Sequence, residues 1–133
     1  MNAQDYIAAG YNVSSLIAQA QITRAEQDVL RAYIVPVYPN AAQEVETNPV
    51  IRRAVMTFTE LLLAERSIFV TRAGSKTKQT EKSYTPTRSE LLQQYANDCN
   101  AALQDVRALE GAVSGAKVND ICGVYFKSNY FNS

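Results

Sequence analysis

The chain has 133 residues, 47% of them hydrophobic and 20% charged, with 13 basic and 13 acidic side chains and a pI near 6.3. That length suits one compact domain spanning 1–133 and is too short for two independent cores. With no histidine and only two cysteines, Cys99 and Cys122, the usual zinc ligand sets and a disulfide framework are excluded, and the commonest general base near neutral pH is missing.

No GxSxG motif, P-loop or other Gly-rich phosphate cradle occurs in a chain with five glycines, so no catalytic, cofactor-binding or metal-ligating set is expected. Both cysteines read as small buried hydrophobes. No run approaches the roughly 18 apolar residues of a membrane span, and the start, MNAQDYIAAGYNV, lacks the basic and apolar regions of a signal peptide. The expectation is a soluble chain, made in the cytoplasm, with no membrane partner.

The first element is a short helix over residues 2–9, ended by Gly10. A second start near Ser14 or Ser15 would place Leu16, Ile17 and Ala20 on one face. The phase then slips, and Thr23 with Glu26 forms a T-x-x-E capping box. Ala25, Val29, Leu30, Tyr33 and Val37 follow at helical spacing, which predicts a helix from Thr23 to about Val35, closed by Pro36 and Pro39. Residues 40–46 read as an acidic loop.

Asn48 followed by Pro49 is a strong helix start, because asparagine caps free amides and proline at the first helical position needs no donor. Val50, Ile51, Ala54, Val55, Phe58, Leu61 and Leu62 form a wide apolar stripe. Arg52, Arg53, Glu60 and Glu65 fall largely off it and read as a solvated face, with contact to a neighbouring subunit as the alternative.

Residues 66–88, RSIFVTRAGSKTKQTEKSYTPTR, hold Arg66, Arg72, Lys76, Lys78, Lys82 and Arg88 against the single acid Glu81, a net charge of +5. The remainder holds 7 basic and 12 acidic residues, a net of −5. Charge clustering of this kind marks a contact surface rather than a fold requirement. Ile68 to Thr71 favours strand, Ala73-Gly74-Ser75 a turn, and the return KTKQTEKSY has almost no apolar face to bury. A β-hairpin-like or flexible arm over 68–86 follows, either an ordinary surface loop or an arm ordered against a partner chain or nucleic acid.

Thr87 and Glu90 form a second T-x-x-E box. Leu91, Leu92, Tyr95, Ala96, Cys99, Ala102, Leu103, Val106 and Leu109 recur at three- and four-residue steps to Gly111, a suitable stop. About 22 residues would make a helix roughly 33 Å long. Its natural antiparallel partner is the helix from Pro49, with the basic arm as a projecting tip. The tail, residues 112–133, breaks the helical pattern and gathers Tyr125, Phe126, Tyr130 and Phe131. Those rings either fold back as core or extend as anchors for a neighbouring subunit. The fold class is therefore all-α: a small bundle with two long antiparallel helices, a basic arm and an extended tail.

The order of these elements resembles the head-tail connector (adaptor) proteins of long-tailed bacteriophages. The likeness is carried by ITRAEQDVLRAYIVPVYP (22–39), NPVIRRAVMTFTELLLAERS (48–67), VTRAG (70–74) with its polar arm, and the long helix from Thr87. It covers most of residues 13–110 and is a pattern match rather than a signature. It implies a non-enzymatic virion protein, of phage or prophage, that sits in the host cytoplasm before assembly and at the head-tail junction after it. Its implied partners are copies of itself in a ring below the portal, the portal protein, tail or stopper proteins, and DNA passing non-specifically through the channel. The aromatic tail is not part of that pattern. A rival reading is a small nucleic-acid-binding or interaction module using 66–88, with Lys76, Lys78 and Lys82 following phosphates. A neutral chain argues against such a free-standing binder. A helical scaffold for a host complex fits the composition equally well.

Overall fold

A helix buried on every side over residues 54–64 lies at the centre of the described residues. The computed structural model describes residues 1–66 and 88–115, which are mostly helical and contain no strand. The elements are α1 (Ala3–Ala8), α2 (Gln19–Val29) running on into a π-helical segment (Leu30–Ile34), α3 (Ala41–Glu44), α4 (Pro49–Glu65) and α5 (Arg88–Arg107). Every residue from 54 to 64 in α4 is buried. Helix α2 packs on one side of α4 and α5 on another.

The start of α4 follows from its sequence. The Asn48 side-chain oxygen accepts from the Val50 amide at 3.0 Å, and Pro49 takes the first helical position. Asn48 is itself held by Glu44, whose carboxylate accepts from Asn48 Nδ2 at 3.0 Å and from the Tyr38 hydroxyl at 2.9 Å. The short helix α3 therefore lies within the stretch expected to be an acidic loop, and it positions the cap of α4.

Two expectations at the N-terminal end need correction. The start near Ser14 or Ser15 does not form: a turn lies there, and Leu16 is 91% exposed rather than on a packed face. The Thr23–Glu26 capping box does not form either, because α2 begins four residues earlier, after Ala18. Thr23 lies inside the helix, accepting from Gln19 Nε2 at 3.2 Å. Glu26 reaches away to α1, where its carboxylate accepts from the Tyr6 hydroxyl at 2.6 Å and the Met1 amino group at 3.3 Å. Tyr6 is wholly buried, and its burial, reinforced by Glu26, pushes the phenol pKa upward. Helix α1 itself has Asn2 and Asp5 in a reciprocal capping box, and Gly10 follows at φ +92.

Pro36 explains the π-helical segment. It has no amide hydrogen and its ring crowds the carbonyl four residues back. The preceding turn widens, and the Val35 amide donates to Leu30 O, five residues back, at 2.8 Å. This segment delivers Tyr33 onto Phe58 as a stacked pair with centroids 4.9 Å apart.

Helix α5 ends at Arg107, before the expected stop at Gly111. Gly111 has a different task. A Cβ there would lie 3.0 Å from the Tyr38 ring, so the missing side chain admits a close approach of the chain to Tyr38. The Val113 amide then donates to Val37 O at 2.7 Å, pinning the end of the described chain to the turn after the π-helical segment.

Candidate functional site

Of the six basic residues in the segment 66–88, the structure describes the surroundings of Arg66 alone. Arg66 caps the C-terminus of α4 and donates to Asp28 on α2 at 2.7 Å. Asp28 also receives Arg31 at 2.8 Å. The hydrogen bond from Arg66, then that from Arg31, holds the Asp28 carboxyl below its ordinary range. Ala20, Gln21, Arg24 and Arg66 line a shallow hollow of about 310 Å³ beside this pair. Two guanidinium groups therefore line one hollow at the C-terminal end of α4.

Arg88 opens α5. Its side chain, and the whole of Arg72, Lys76, Lys78, Lys82, Tyr125, Phe126, Tyr130 and Phe131, lie outside the described residues, as do Thr87 and Cys122. Cys99 is buried, with its thiol donating to Thr57 O at 3.6 Å. Among the described residues no cluster of three or more histidine, cysteine, aspartate or glutamate side chains is placed to hold a metal, and no helix is long and apolar enough to cross a membrane.

A second polar cluster was not visible in the sequence. Glu60, expected on a solvated face, is only 7% exposed. The extended segment after α1 crosses α4 and α5 at this point and makes three hydrogen bonds from two adjacent residues. Asn12 N donates to Glu60 Oε2 at 2.6 Å, and Asn12 Nδ2 donates to the Tyr95 hydroxyl at 3.0 Å. The Tyr11 hydroxyl lies 3.0 Å from Thr57 Oγ1. Since the Thr57 hydroxyl donates to Arg53 O at 2.7 Å, Tyr11 must be the donor of that pair.

Burial pushes the Glu60 carboxyl up to about 7 from an ordinary 4.5. The Asn12 amide pulls it down and the nearby Asp98 charge adds to the rise. The signal that could have revealed this was the run MTFTELLLA, residues 56–64, which is apolar or small on every face except at Glu60. Only a helix wrapped on all sides has that composition. On its flank, Arg53 pairs with Asp105 across the α4–α5 seam at 3.1 Å.

A scan against protein-family models and searches of curated proteins and of solved structures returned no match to this chain.

Proposed function

We propose that the chain is a structural, non-enzymatic virion protein: the head-tail connector subunit of a long-tailed phage or prophage, forming a ring below the portal through which DNA passes. The observation that carries this reading is the segregation of charge, +5 on residues 66–88 against −5 on the rest of a helical body. A ring of identical subunits needs a heterologous interface, one patch meeting a different patch, and opposite charges on two parts of one chain supply that complementarity.

The body supports the reading in a second way. Arg53 meets Asp105 and Thr57 meets Cys99, contacts that support an antiparallel α4 and α5 with the end of α4 beside the start of α5. The described residues that flank 67–87 thus lie at one end of the helix pair, which supports reading that segment as a contact element. The Arg66–Asp28 pair joins basic and acidic groups within one chain, a contact of the kind the reading requires between subunits.

The reading is tested by mixing the purified chain with portal-bearing, DNA-filled heads of the phage or prophage that encodes it. Wild-type chain should sediment with the heads and add ring density at the portal vertex in electron micrographs. A chain with Arg72, Lys76, Lys78 and Lys82 changed to Glu should retain its helical circular dichroism and fail to bind. If the wild type ignores the heads yet binds free duplex DNA with steep salt dependence, the nucleic-acid-binding reading takes its place.

A further inference from the structure

We propose that the hollow between α2 and the C-terminal end of α4 is a site for a phosphate group carried on an extended ligand, the backbone of a nucleic acid, with Arg24 and Arg66 as its anchors. Ala20, Gln21 and Arg24 share one face of α2, at neighbouring and four-residue spacing, while Arg66 enters from the end of α4. Together they line about 310 Å³, of which the short Ala20 side chain takes up little. That volume lies at the low end of the roughly 300–1,000 Å³ of small-ligand sites. It holds one phosphate group, and a shallow hollow leaves the rest of the ligand outside. Such a shape suits a phosphate presented on a backbone better than a small molecule enclosed on all sides.

The charges there favour an anion. Arg24, Arg31 and Arg66 are accompanied by one carboxylate, Asp28, which already accepts from Arg31 at 2.8 Å and from Arg66 at 2.7 Å. Arg24 is exposed and has no ion pair among the described residues. The carbonyl end of α4 adds roughly half a negative charge, so the surroundings keep a net of about +1.5 on a chain that is neutral as a whole. Arg66 uses one recorded N–H on Asp28, and a guanidinium carries several more. Two arginine forks match the acceptor oxygens of a phosphate better than those of a single carboxylate. Arg31 stands seven residues beyond Arg24, about 10 Å further along the helix axis, so the positive strip is long enough to meet a second phosphate of one backbone. The site uses no residue from 67–87, and it would serve a chain in a ring and a free chain alike.

The test is NMR titration of the full chain, labelled with ¹⁵N and held at constant ionic strength with chloride, following the arginine Nε–Hε signals and the Gln21 side-chain amide. Inorganic phosphate should give saturable shifts at Arg24, Arg66 and Gln21, acetate should give much weaker ones, and a short duplex DNA should move the same signals. Arg24→Gln removes an exposed cation and should leave the helical circular dichroism intact. It should weaken phosphate binding about tenfold, and it should reduce the salt slope of duplex binding by about one. Arg52→Gln, which removes the same charge near the start of α4, should leave phosphate binding unchanged. The proposal is overturned if phosphate gives no saturable shift at Arg24 and Arg66, if acetate matches it, if Arg24→Gln binds as tightly as the wild type, or if Arg52→Gln loses binding equally. Saturation by inorganic phosphate with no response of these signals to the duplex would make the ligand a free phosphate and overturn the assignment to a nucleic-acid backbone.

Discussion

Replacing Glu60 by Gln should make the stability of this protein nearly independent of pH between 5 and 8, whereas the wild type should lose about 2.5 kcal/mol over the same range. The folded-state carboxyl titrates near 7 and the unfolded one near 4.5. Because the folded value is the higher, Glu60's contribution is fully present below the unfolded value. It is lost as pH rises through the folded value. Between pH 5 and pH 8 the linkage factor is about 70, and at roughly 1.4 kcal/mol per tenfold this is about 2.5 kcal/mol. Asp28, whose folded value is lowered, contributes in the opposite sense, but its contribution is complete above its unfolded value near 3.8 and therefore constant across this window. Urea unfolding at pH 5, 6, 7 and 8, with wild type and Glu60→Gln compared at equal ionic strength, is the assay. Parallel stability profiles for the two proteins would refute the assignment of a desolvated carboxyl at the heart of α4.

Other perturbations separate the core from its surface. Leu61→Ala, at a fully buried position of α4, should cost about 2 to 5 kcal/mol in urea unfolding, while Leu16→Ala, at a site that is 91% exposed, should change stability by less than about 0.5 kcal/mol. Asn48→Ala should cost about 1 kcal/mol by removing the cap of α4, and Asn48→Gly only a few tenths, which chemical denaturation of both variants can resolve. Gly111→Ala should lower the thermal midpoint, because its Cβ would press on the Tyr38 ring at 3.0 Å, whereas Gly115→Ala meets open space and should show only the cost of its positive φ. Arg66→Ala should cost no more than about 1 kcal/mol, since its partner Asp28 is solvent-accessible and the pair is exposed to salt.

Local chemistry made α4 legible in the sequence: the Asn-Pro start and the apolar stripe depend on neighbours within a few residues, and both appear in the folded chain. The phase of the α5 apolar positions was readable for the same reason, with Leu92, Ala96, Cys99, Leu103 and Val106 all buried. The failures share a different cause. Thr23 and Glu26 match a capping box in isolation, yet α1 offers Glu26 a Tyr6 hydroxyl and an amino group, and a tertiary partner outweighs a local one. Glu60 looked solvated because a helical wheel is blind to a strap arriving from residues 11–13, nearly fifty positions earlier in the chain. Pro36 marked the end of that helix in the sequence, but the π-helical turn before it, with the Val35 amide on Leu30 O, was not read there. The hollow beside Arg24 and Arg66 depends on how α2 lies against the end of α4, which sequence spacing does not specify.

The proposed place in a virion is tested most directly by electron microscopy of particles made after the gene for this chain is deleted from the phage or prophage to which the connector reading assigns it. The connector reading predicts DNA-filled heads without tails alongside free, finished tails, and recovery of joined particles when the wild-type gene is supplied in trans. Intact, infectious particles from the deletion would contradict it.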